Sequence, residues 1–217
     1  MLDKIILSNE ELYYIGKRTG GSHLNYSYIA EMEDISQRRA MIQEKIKDAL
    51  VEKGYATENL WGETTVKAEV VNFLHPVFNG DREAVVEIED NAGGQEKAMY
   101  LFHMDEVSLI IMKKEDEMLI FQKMEENALE EFITSLIPWK YNEINIFPEK
   151  RKVSAPERTI VGQYLEFGKS AAIRTIKIIE GQMYYLDEDN KMHPLDQKGF
   201  YREIHDLITG GNTSGIS

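Results

Sequence analysis

The sequence predicts an α+β fold, an antiparallel β-sheet flanked by helices. Three observations predict it. Helical hydrophobic spacing dominates the first third of the chain, as in Ile35, Ile42, Ile46, Ala49 and Leu50. The period then changes to short strand-like runs such as Ala84-Val85-Val86-Glu87-Ile88, separated by turn residues. The strands come in consecutive pairs joined by short turns, which favours antiparallel pairing over parallel crossovers.

The elements follow in order. Lys4 to Leu7 reads as a short strand or an extended arm. Ser8-Asn9-Glu10-Glu11 fits a capping box, with Ser8 accepting from the Glu11 amide and Glu11 reaching back. A helix over about Asn9 to Lys17 follows, broken at Thr19-Gly20-Gly21-Ser22. A long helix spans Asp34 to Lys53, and Gly54 terminates it. A third is expected from Glu58 to Leu74, with Val66, Val70, Phe73 and Leu74 as its stripe and Pro76 as its stop. Strands are then expected at Ala84 to Glu89, Lys97 to His103, Val107 to Met112 and Met118 to Gln122, before a helix from Glu125 to Ile137 closed by Pro138.

The remainder reads as a shortened copy. Asn142 to Phe147 is strand-like, and the charged stretch from Pro148 to Pro156 carries the basic run Lys150-Arg151-Lys152. Glu157 to Phe167 is expected to be helical, with Ile160, Tyr164 and Leu165 inward. A hairpin of Ala171 to Ile179 and Met183 to Leu186 leads through Asp187-Glu188-Asp189-Asn190 to a final helix, about Asp196 to Ile208, closed by Gly210-Gly211. The two stretches Val107 to Ile137 and Ala171 to Ile208 each run hairpin, acidic connection, helix. They define two pseudo-repeated halves, 1–138 and 139–217, within one compact unit.

Composition limits the function. At 217 residues the chain is one large domain or two small ones and long enough for a real core. Lys+Arg is 25 against Asp+Glu 38, a net charge of −13. Sequence-independent nucleic-acid binding needs the opposite surplus, and so does an anionic membrane surface. Cysteine is absent, which excludes disulfides, thiol nucleophiles and thiolate metal sites. The N-terminal apolar run is too short for a signal peptide, and no apolar stretch approaches the ~18 residues of a membrane span. A cytoplasmic location without membrane insertion is expected.

Catalytic signatures are missing. His23, His75, His103, His193 and His205 show no metal-binding spacing. His103-Met104-Asp105-Glu106 is the densest group of titratable residues and reads as a solvated strand end. Gly162 to Ser170 misses a phosphate loop by one residue, precedes a strand instead of a helix, and reads as a helix end. No cofactor and no enzymatic activity are expected. The eleven tyrosines and ten methionines, with no catalytic motif beside them, point to protein binding.

The element order opens with Leu7-Ser8-Asn9-Glu10-Glu11-Leu12. It continues through the long helix ending at Gly54, the helix closed by Pro76, the β-meander and the helix closed by Ile137-Pro138, and ends on the shorter repeat. This pattern resembles the EspG family of cytosolic chaperones of type VII (ESX) secretion, as a divergent, Firmicute-type member. The resemblance implies a non-enzymatic binding protein for a helical secretion substrate of the WXG/LXG or PE/PPE-like kind. It implies contact through a loop between the first sheet strands and a C-terminal helical bundle. The matching positions are Asp90 to Gln95, with Asn91, Gly93 and Gly94, and the final helix, with Tyr201, Ile204 and Leu207. Two other readings stay open: an acidic immunity protein neutralising a secreted toxin, and a hydrolase with a carboxylate site.

Overall fold

The computed structural model describes residues 2–20, 40–91, 96–137, 156–166 and 169–211. The chain begins with β1 (Lys4–Ser8), α1 (Asn9–Thr19), α2 (Ala40–Glu52), β2 (Ala56–Glu58), β3 (Thr64–Val66), α3 (Ala68–Phe73) and α4 (His75–Asn79). It continues through β4 (Arg82–Asp90), β5 (Glu96–Met104), β6 (Leu109–Glu115), β7 (Met118–Lys123) and α5 (Glu126–Ser135). It closes with β8 (Arg158–Glu166), β9 (Lys169–Ile179), β10 (Gln182–Leu186), β11 (Met192–Leu195) and α6 (Gln197–Thr209). Among the described residues, nine strands form one antiparallel sheet in the order β1-β7-β6-β5-β4-β8-β9-β10-β11, while β2 pairs with β3 alone. The fold is α+β, as the sequence predicts.

Met1–Arg82 and Phe102–Lys123 form one compact unit. Here β1 lies antiparallel to β7, from Lys4 opposite Gln122 to Ser8 opposite Met118. Ile5 and Leu7 are buried from β1, Leu12 and Ile15 from α1, and Leu119 and Phe121 from β7. Full burial of each such side chain stabilises by about 1.5–3 kcal/mol. The capping box forms as read: Ser8 Oγ accepts from the Glu11 amide at 3.2 Å, and Glu11 Oε2 accepts from the Ser8 amide at 2.7 Å. Gly20 caps α1 at φ 73°, in the left-handed region that glycine adopts without penalty.

The second compact unit is Glu83–Leu101 with Met124–Ser217. In it α6 lies on β8 and β9, held by buried Phe200, Ile204, Leu207 and Ile208. Asp196 caps α6 by accepting from the Gly199 amide at 2.6 Å. Phe132 of α5 meets Tyr100 of β5 edge to face, ring centroids 5.0 Å apart. At the edge of the sheet, β11 is four residues long and carries Pro194, a composition suited to an edge strand.

Several expectations are corrected. Residues 157–167 hold no helix where they are described: Arg158–Glu166 is strand β8. Ile160, Gly162 and Tyr164 are buried in alternation, a period of two. The Glu58 to Leu74 helix is instead a hairpin, β2–β3, followed by the short α3, because Gly62 turns at φ 77° and Thr64-Thr65-Val66 is β-branched. Pro76 does not simply stop a helix. It sits in the first turn of α4, where its missing N–H is tolerated. Strand β11, between Asp187-Glu188-Asp189-Asn190 and the final helix, is an addition to the expected elements. Of the Asp34 to Lys53 helix, Ala40–Glu52 is described. The strand expected at Asn142 to Phe147 and the Lys150-Arg151-Lys152 run lie outside the described residues.

Candidate functional site

His103-Met104-Asp105-Glu106 closes β5 and the bend after it. His103 is not a solvated strand end. It is 3% exposed, and its Nε2 is buried without a hydrogen-bond partner. Burial pushes its pKa down to about 4, so the ring is neutral. Asp105 turns outward and organises the bend after β5. Its Oδ1 accepts from the Val107 and Ser108 amides at 2.8 and 2.7 Å, and its Oδ2 lies 2.9 Å from His75 Nδ1. Burial pushes Asp105 upward, but the hydrogen bond with His75 and the two amide bonds outweigh it and hold the carboxyl below its usual range. Each group has a structural use, as a core residue or a turn. Among the described residues no group of three His, Asp or Glu side chains could hold a metal ion.

The loop expected to meet a partner is described at its base. The Asn91 amide donates to Glu157 O at 2.7 Å, and its Nδ2 to Pro156 O at 3.2 Å. Beside it, Arg158 donates to Asp90 Oδ2 through Nε and Nη2, and to Leu136 O at 2.9 Å through Nη1. The base is thus anchored to the start of β8 and the end of α5. Asn91 is exposed, while Gly93 and Gly94 lie outside the described residues.

On α6 the three expected contact residues divide between two faces. Ile204 and Leu207 are fully buried against the sheet and cannot reach a partner, a correction to the expectation. Their helical stripe is a core stripe. Tyr201 points outward, half-buried, with its ring stacked on His205 at 5.5 Å. His205 Nε2 lies 3.4 Å from Glu126 Oε1 of α5. Burial raises the Tyr201 hydroxyl, and the charges of Glu126 and Glu130 add to it. A partly buried ion pair, Arg174 Nε to Glu203 Oε2 at 3.2 Å, further ties β9 to α6.

Sequence reasoning missed a second surface. Register pairs Val161 with Thr175, Gln163 with Ile173 and Gly162 with Arg174. Directly paired residues share a face. Val161, Gln163, Ile173 and Thr175 therefore lie opposite the face that Gly162 turns to α6. On that outer face Ile173 is 58% exposed and Val161 37%. Lys177 and its partner Tyr184 extend it, both half-buried. Reading 157–167 as a helix hid this face. The signal was the Thr-Ile-Val run, whose β-branched residues fit a strand.

Among solved structures, the chain matches one of the Mycobacterium tuberculosis type VII secretion system chaperone EspG5 in complex with a PE25–PPE41 dimer. The match has a TM-score of 0.60 and covers 94% of this chain and 95% of that one. The chain shares the fold of EspG5. Sequence identity to EspG5 is 9%, so the likeness is one of fold. No family model matches the chain, and no curated protein matches it. The element order resembles the EspG family, and the likeness to EspG5 supports that resemblance at the level of fold. Among the described residues no helix is long and apolar enough to cross a membrane.

Proposed function

We propose that the protein is a cytosolic, non-enzymatic chaperone that binds a helical substrate of a type VII secretion system. The observation that carries this reading is the near full-length fold likeness to EspG5, 94% of the chain at a TM-score of 0.60. The outer face of β8 and β9 supports it, since Val161 and Ile173 leave apolar area open for a helix to cover. The proposed contact is that face; Tyr201 lies on α6, across the sheet from it, and is not part of it. Ile204 and Leu207 serve it by fixing the helix to the sheet. No catalytic step belongs to this function.

Affinity capture of the tagged protein from its native cytosol, followed by mass spectrometry, tests the proposal. The expected result is a small helical secretion substrate, lost with Val161→Glu/Ile173→Lys while the unfolding temperature holds. Capture of a toxin through its catalytic domain would support the immunity reading, to which the net charge of −13 is suited. Recovery of the protein alone, with candidate substrates abundant, would overturn the chaperone reading.

A further inference from the structure

The β2–β3 hairpin ends in a turn that holds two large apolar side chains in water. Register runs from Ala56 opposite Val66 to Glu58 opposite Thr64, leaving residues 59–63 as the tip. Asn59 builds that tip from within. Its Oδ1 accepts from the Trp61 and Glu63 amides, both at 2.9 Å, and its Nδ2 donates to Glu63 Oε2 at 2.8 Å. Two backbone bonds, Asn59 N to Glu63 O and Gly62 N to Asn59 O, close the turn at 3.0 Å each. Gly62 completes it at φ 77°. On this scaffold Leu60 is 101% exposed and Trp61 87%.

Single exposed apolar residues are ordinary. This pair differs because it is adjacent, because it includes one of the two tryptophans of the chain, and because four hydrogen bonds to its turn's backbone hold it before any contact is made. Binding energy concentrates in such anchors. Tryptophan leads among them, and a pre-ordered turn loses little entropy on docking. The surrounding charge selects the occupant. Glu58 and Glu63 flank the pair, in a chain of net charge −13. Anionic lipid and the same acidic tip of a second copy are both repelled.

We propose that Leu60 and Trp61 form a docking knob that inserts into an apolar pocket rimmed by Lys and Arg on a protein partner. The knob is independent of the chaperone reading and stands on a different hairpin from the β8–β9 face.

A display library of two-helix scaffolds with randomised faces, selected on the full chain with no bias towards the tip, supplies the probe. The expected result is that leading binders place cationic residues around an apolar patch and lose about 30-fold or more in affinity with Trp61→Ala. Leu60→Ala should weaken them further, Glu58→Lys/Glu63→Lys should weaken them through charge, and Val107→Ala, at another exposed apolar position, should leave them unchanged. Far-UV circular dichroism confirms folding of each variant. Leading binders that ignore Trp61→Ala would overturn the proposal. So would self-association of the chain, or binding to phosphatidylcholine vesicles, that Trp61→Ala abolishes.

Discussion

Leu207 of α6 fills the space that Gly162 of β8 leaves by having no side chain. A Cβ at Gly162 would collide with the Leu207 Cδ2 methyl. A glycine inside a strand costs backbone entropy and packing area, and here it admits the helix to the sheet. Gly162→Ala should therefore destabilise by about 1–3 kcal/mol, the usual range for overpacking. For a chain of this size each kcal/mol lowers the unfolding temperature by about 2–4 °C. Leu207→Ala alone should cost about 2–5 kcal/mol. The double variant should cost less than the sum, because the added methyl fills the vacated volume. Thermal unfolding of the three variants measures the coupling.

Glu11 joins three segments. It caps α1 through the Ser8 amide and receives Lys53 Nζ at 2.6 Å, with its side chain 5% exposed. Glu11→Ala should cost about 1–3 kcal/mol, because the partly buried Ser8 amide loses its acceptor and Lys53 its carboxylate partner. Glu11→Gln should cost less, since an acceptor oxygen remains. Urea unfolding midpoints rank the two, and equal midpoints would deny the cap its role.

His103 sets an acid limit. Its folded pKa of about 4 lies below its ordinary 6.5, so between those values the unfolded chain binds the extra proton. Stability should fall as pH drops from 6.5 towards 4, by up to about 3 kcal/mol from this residue. His103→Leu should flatten that part of the profile and leave no buried ring nitrogen unpaired. Chemical unfolding at stepped pH reads the slope directly.

Glu83 works in the opposite direction. Burial raises its pKa from 4.5 to about 8, and its Oε1 has no hydrogen-bond partner. Between those values the folded chain holds the extra proton, so rising pH costs stability. Glu83→Gln should match the wild type near pH 4.5 and exceed it by about 1–2 kcal/mol at pH 8. Combined with His103, the two slopes offset each other from pH 4.5 to 6.5, and maximal stability should fall in that window. The same unfolding series, extended upward, checks this.

The local devices were legible because their partners lie within a few residues. Ser8 and Glu11 are three apart, as are Asp196 and the Gly199 amide, and both caps form as their residue types dictate. The hairpins β6–β7 and β9–β10 and helix α5 likewise follow from short-range pattern and turn residues. Of the expected contact residues, Asn91 is exposed and Tyr201 half-buried, while the apolar stripe of α6 puts Ile204 and Leu207 in the core. A stripe marks the buried face of a helix without saying what buries it.

What the sequence by itself determined is the α+β class, the helix caps and the hairpin order, all short-range properties. Tertiary structure alone decided that Arg158–Glu166 is a strand. Ile160 and Tyr164, four residues apart, suit one face of a helix and one face of a strand equally. The choice fell to β9, which supplies the ladder partners from Ile178 opposite Arg158 to Lys169 opposite Glu166, and to Leu207, which packs where Gly162 has no side chain. Backbone hydrogen bonds and burial from distant segments outweigh a local preference worth at most about 1 kcal/mol per residue, and only the folded chain brings those segments together.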